Sequence, residues 1–167
     1  RLALAALNAG MLRLGGELAD AVLLNYLPAS HVGWSVDRIR EGGGAEVHAY
    51  VHAGVTDWES GVGAARKDLF GYAMAPGYAR MFAAAGYADE MAAIDEAKAA
   101  GDREAMVAAI SDRMVRDIDF IGDADEVATF VRSYREAGVD HPILMPLPWG
   151  ADRRAVAEAT IEAAALS

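Results

Sequence analysis

At 167 residues and 54% apolar composition, the chain is long enough for one domain with a real core and too apolar to be disordered. Its net charge of −10 includes no basic block to neutralise phosphates, which excludes a nucleic-acid surface. The absence of cysteine excludes disulfides, thiolate catalysis and Cys-ligated zinc, and no apolar stretch is long enough to span a bilayer. Arg1-Leu2-Ala3 opens a short apolar run that Asn8 and Gly10 break too early for a signal peptide. A cytoplasmic protein without a membrane partner is therefore the expectation. The start at Arg1 rather than Met suggests a processed or truncated product.

In chain order, Leu2-Ala3-Leu4-Ala5-Ala6-Leu7 reads as a strand, broken at Asn8-Ala9-Gly10. A helical pattern follows through Met11, Leu14 and Leu18, and Asp20 leads into a second strand, Ala21-Val22-Leu23-Leu24. Strand, tight loop, helix and strand in about two dozen residues form a compact parallel β/α unit. Pro28 opens a helix with Val32, Val36 and Ile39 on one face, closed by Gly42-Gly43-Gly44. Residues 46–55 form a β-rich third strand. Thr56 and Glu59 read as a capping box for a helix through Leu69, Tyr72 and Ala73. Residues 76–121 form a helical excursion without a strand pattern, punctuated by Pro76-Gly77, Gly86 and Gly101-Asp102. Asp123 and Glu126 repeat the capping logic before Val127, Phe130, Val131 and Tyr134, with Gly138 as the stop. His141-Pro142-Ile143-Leu144-Met145-Pro146 is a short buried fourth strand, and a last helix runs from about Asp152 to Leu166.

This order predicts a single α/β domain over residues 1–167, made of parallel β/α units with a helical insertion at about 76–121 between the third and fourth strands. Four such units are half of a TIM barrel. They also suit a small open doubly wound sheet, and spacing alone does not separate the two.

The first loop is the leading site candidate. Ala6, Leu7, Asn8, Ala9 and Gly10 place small, backbone-exposing groups where a strand ends and a helix begins. Free N–H groups and the helix dipole there favour an anion such as a cofactor phosphate. The plainer alternative is a tight turn with Asn8 as helix cap. Asn25 and Tyr26 end the second strand, on the face where barrel enzymes keep their sites, and are candidates for substrate binding. Trp149 follows the last strand and is a third such candidate, against plain packing on the final helix. His48, Tyr50 and His52 share one face of the third strand. A metal there would need a third ligand and a second shell; the sequence shows neither, so no metal is expected. His141 reads as structural and His31 as a surface residue. Met74, Tyr78, Met81, Phe82, Tyr87 and Met91 of the excursion read as core, with a lid as the alternative. No general base or nucleophile stands out.

Residues 5–25, AALNAGMLRLGGELADAVLLN, resemble a segment of the bacterial luciferase-like flavin and deazaflavin oxidoreductases, which typically reads AALGPxMLxLAGExADGVxLN. Tyr134-Arg135-Glu136-Ala137-Gly138-Val139-Asp140-His141 resembles that family's lead into its last barrel strand, and Gly122-Asp123-Ala124-Asp125-Glu126-Val127 falls in order between the two. Two departures stand out. Asn8-Ala9 replaces the usual Gly-Pro, and Ala21 replaces the common Gly after Asp20.

The resemblance implies a partial TIM barrel, strands five to eight. Much of the family's catalytic and ring-contacting chemistry belongs to the N-terminal half. It also implies oxidoreductase or monooxygenase activity through hydride transfer or oxygen activation. The cofactor would be 8-hydroxy-5-deazaflavin (coenzyme F420) or FMN, contacting Ala6, Leu7, Asn8, Ala9 and Gly10, with a small-molecule substrate. A non-catalytic half-barrel that acts only with a partner half or as a homo-oligomer is the competing reading, because four strands leave two open edges and an apolar concave face.

Overall fold

The computed structural model describes residues 1–150 and 152–165. Five parallel strands and nine α-helices alternate along them. The first unit is β1 (Ala3–Ala5), α1 (Ala9–Leu18) and β2 (Ala21–Leu24), followed by α2 (Ala29–Glu41) and β3 (Glu46–Val55). α3 (Trp58–Ala73) follows, and the excursion begins with α4 (Pro76–Phe82), then a kink within Ala83–Tyr87 where Gly86 takes a φ of 104°. It continues through α5 (Ala88–Ala99), α6 (Arg103–Ala108) and α7 (Asp112–Ile118). The chain closes with β4 (Asp119–Gly122), α8 (Ala124–Glu136), β5 (His141–Pro146) and α9 (Arg153–Ala164). The predicted end of the last helix, Leu166, lies outside the described residues.

β3 is the hub of the sheet, pairing in parallel with β2, β4 and β5. The N–H groups of Glu46 and Thr56 donate to Asp20 O and Gly122 O, whereas Val47 O and Ala53 O accept from Asp140 and Leu147. Even-numbered residues thus bond one edge and odd-numbered residues the other. β2 takes the start of one edge, β4 takes its end, and β5 runs along the opposite edge. Laterally the sheet reads β1-β2-β3-β5, with β4 beyond the end of β2.

Val47, Ala49, Val51 and Ala53 are fully buried on the face where α8 and α9 pack against β3. The opposite, concave face carries His48, Tyr50 and His52. In register beside them lie Leu23 and Ala5 on one side and His141, Ile143 and Met145 on the other. This is one side of a TIM-type barrel, and it removes the open doubly wound alternative.

Several sequence expectations change. Asp119–Gly122 is a strand, not the tail of the excursion, so there are five strands and the His141 strand is the fifth. β5 is not a buried run: His141, Ile143 and Met145 are exposed on the concave face, as suits an edge strand. The Met11, Leu14 and Leu18 stripe of α1 faces outward, Leu18 being 62% exposed. The helix instead buries Leu12, Gly15 and Gly16. The cap of α3 is Asp57, whose carboxylate accepts from Ser60 N–H, rather than Thr56. The Asp123–Glu126 capping box forms as expected.

Candidate functional site

The carboxyl ends of β1 and β2 and the middle of β3 meet α4 around a cavity of about 260 Å³ lined by Ala5, Leu7, Asn8, Met11, Leu23, Asn25, Tyr50 and Tyr78. Two asparagines tie this mouth to the excursion. Asn8 Nδ2 donates to Gly77 O at 3.1 Å, and Asn25 Nδ2 donates to the Tyr78 hydroxyl at 3.1 Å. Asn8 stands at the N-cap of α1 with extended backbone (φ −112°), yet its side chain makes no cap hydrogen bond. Asn8 thus holds the cap position of the plainer alternative without its side-chain bond, the Nδ2 being turned to Gly77 O. The first intrahelical bond is Leu12 N–H to Asn8 O, which leaves the N–H groups of Ala9, Gly10 and Met11 without helical partners. A Cβ added at Gly10 would meet nothing within 4 Å, so this position has room for a side chain.

Behind Asn25 the mouth becomes buried and polar. Tyr26, the residue after Asn25, has φ 51°, a left-handed conformation rare for an aromatic residue. It is held by the Tyr26 hydroxyl donating to Asp68 Oδ2 at 2.6 Å. Its ring stacks on Tyr72 (3.7 Å between centroids) and leans on His52 (3.9 Å). His52 Nε2 bonds Asn25 Oδ1 at 3.0 Å, and His52 Nδ1 faces Asp119 Oδ1 at 3.5 Å. Burial pushes the His52 imidazole down to about 4. Burial, and then the nearby Asp68 carboxylate, hold the Asp119 carboxyl well above the usual carboxylate range. Burial and the bond to Asp68 raise the Tyr26 phenol, and burial also raises Tyr78.

The fold thus gathers Leu7, Asn8, Asn25 and Tyr50 on one cavity, whereas Ala9 and Gly10, in the first turn of α1, are not among its lining residues. Ala6 is buried in the core, and its N–H donates to Leu23 O. Tyr26 turns away from the cavity toward Asp68. Trp149 is half-buried against the hydrophobic core and is not among the cavity's lining residues. His31 is buried, not a surface residue, and stacks on Trp34. Sequence reasoning missed Asp68, Asp119 and the polar role of Tyr78. Asp119 had a trace, a lone acid between Ile118 and Phe120-Ile121, whereas Asp68 on a mixed helix had none. The histidines of β3 each stand in a cluster that takes in a residue from a distant element, His141 of β5 beside His48 and Glu46 of the same strand, and Asp68 of α3 and Asp119 of β4 beside His52.

Parallel β/α units with a cavity at the carboxyl ends of their strands define a barrel-type enzyme scaffold. Residues 2–141 match the Luciferase-like monooxygenase family, and the chain belongs to it. Membership carries an oxidoreductase function at the level of the family. Among solved structures, the chain is similar to a coenzyme F420-dependent tetrahydromethanopterin reductase from Methanopyrus kandleri. The TM-score is 0.67 at 22% identity, over 95% of this chain and 47% of that one. It is also similar to an F420-dependent secondary alcohol dehydrogenase solved with an F420-acetone adduct. There the TM-score is 0.55 at 15% identity, over 86% of this chain and 42% of that one. At these identities the likeness establishes the fold, and the chain spans less than half the length of either. Among curated proteins none matches.

Proposed function

We propose that this chain forms the cofactor-phosphate side of a luciferase-like oxidoreductase that uses a deazaflavin of the coenzyme F420 type or FMN. The observation that carries the reading is the Asn8 side chain, which bonds Gly77 O instead of capping α1, so the N–H groups of Ala9, Gly10 and Met11 keep no helical or side-chain partner next to the cavity that Asn8 and Met11 line. An anion there meets both free donors and the positive end of the helix dipole. The residues present fit such a group: small side chains in the first turn of α1, and Leu23, Tyr50 and Tyr78 as an apolar and aromatic wall. When bound, the ring supplies the hydride or oxygen chemistry. The protein's share is orientation and exclusion of water. Asn25 fixes Tyr78 at the wall, and Gly77 ties α4 down over the loop. A small-molecule substrate would approach from the open concave side.

The test is fluorescence titration of the chain with F420 and, separately, FMN. Saturable quenching by one of them is expected. Gly10→Asp adds a negative charge where there is room for a side chain. It should weaken that binding roughly tenfold, equivalent to about 1.4 kcal/mol. Absence of any spectral change with either compound overturns the reading.

A second reading rests on a different observation, the apolar surface left open. Ile143 and Met145 on the concave face, and Leu2, Met11, Leu14 and Leu18 along β1 and α1, are all exposed. In this reading the chain works only against a complementary half-barrel or a second copy of itself.

A further inference from the structure

The buried cluster near the end of β3 touches the cavity through Asn25 but shares no residue with the first turn of α1, and its chemistry is unsatisfied. Asp119 is completely buried, and with both carboxyls ionised neither of its oxygens has a hydrogen-bond partner, Asp68 being its carboxyl neighbour. Nor does His52 Nδ1. Unpartnered buried polar atoms are costly and call for an explanation. We propose that His52, Asp68 and Asp119 form a binding site for one divalent transition-metal ion of the zinc type.

Four observations support this. One ligand atom from each residue lies within 4.8 Å of the other two. The tautomer of His52 follows from its neighbour. Asn25 uses Nδ2 to donate to Tyr78, so Asn25 Oδ1 accepts from His52 Nε2–H, and Nδ1 presents a bare lone pair to Asp119. Two lone pairs facing each other at 3.5 Å repel unless a metal cation, or the proton of a neutral Asp119, lies between them. That separation is long for a strong hydrogen bond but close to the edge of a tetrahedron with metal–ligand bonds of about 2.0–2.1 Å. Charge also balances. Two carboxylates match a +2 ion, and among the described residues no Lys or Arg forms an ion pair with Asp68 or Asp119. Finally, an outer shell exists, with Asn25 orienting the His52 ring and Tyr26 bonding the Asp68 carboxylate. One imidazole with two carboxylates is a donor set that zinc-type ions accept.

The chain is stripped with a chelator and titrated with Zn2+ against a chromophoric competitor, and separately with Co2+ to read coordination from its visible spectrum. The expected result is one equivalent bound, with the intense visible bands of four-coordinate Co2+. His52→Ala and Asp119→Asn should each weaken uptake by at least about tenfold. His48→Ala should leave it unchanged, since His48 belongs to the separate group with Glu46 and His141. Circular dichroism checks that each variant is folded. If Asp119→Asn does not fold, Asp68→Asn at its half-buried position replaces it. Failure of the wild-type chain to take up the ion overturns the proposal, and a neutral, protonated Asp119 then accounts for the cluster. Uptake that survives the His52 and Asp119 variants, or that is lost in His48→Ala, also overturns it.

Discussion

His31 lies in the first turn of α2 with its ring against Trp34 and its Nε2 buried without a partner. Burial lowers its pKa below the ordinary 6.5. Because the folded value lies below the unfolded one, the stabilisation is complete above about pH 6.5 and is lost as pH falls toward the folded value. Thermal melts of the wild-type chain should therefore show a falling Tm from pH 7 downward through this window. His31→Gln, which cannot titrate, should show a shallower fall. Equal slopes would contradict the burial argument. The sequence concealed this residue because a polarity pattern assigns His and Ser to the surface. In α2 the buried stripe widens to take in His31 and Ser35 beside Val32, Val36 and Ile39. The same limit applies to Asn8 and Asn25. Their positions at strand ends could be read from the chain, but their partners Gly77 and Tyr78 lie more than fifty residues away.

Between elements, the contact of α1 with α2 depends on missing side chains. A Cβ at Gly16 would fall 2.0 Å from Ile39 O, and one at Gly42 would fall 2.0 Å from Arg13 O. Both obstacles are backbone, which cannot swing aside. Gly16→Ala should therefore cost about 1–3 kcal/mol in urea unfolding, as overpacking does, although alanine is the better helix former. A stability gain would show that the two helices separate easily. Most elements could be read from the chain, including α2 with its glycine stop and α8 with its capping box. β4 could not. It is only four residues long, follows α7 without an intervening turn, and places Asp119 at a core position. Those features hide the alternation that identifies a strand. The outward stripe of α1 misleads in the opposite direction. Leucines at helical spacing imply burial, but close approach to α2 is made through glycines instead.

For the molecule as a whole, parallel pairing and the concave polar face of β3 follow from the β/α rhythm and from strand alternation. The polar cluster beneath Asn25 does not, because it joins β3, α3 and β4 across a long helical excursion. The open surfaces have a measurable consequence. With Met145 41% exposed and Ile143 beside it, the chain should associate with itself across a dilution series in sedimentation velocity. Met145→Lys should shift that equilibrium toward the monomer. A wild-type chain that stays monomeric throughout would remove the half-barrel reading that depends on a partner.

β3 receives β2 and β4 on the same edge; the polypeptide leaves the sheet near Thr56 and returns to it at Asp119, and the far end of the returning strand, Gly122, accepts from Thr56 N–H. The intervening helices hang from that point like a pouch with a drawn string. A protease that cuts the exposed turn at Gly101, where φ is 71°, would separate β1, β2 and β3 from β4 and β5 in covalent terms only. The two pieces would remain joined through the rungs of β3 and travel as one particle until a denaturant parts them. Backbone continuity is therefore least needed where this chain is longest between strands.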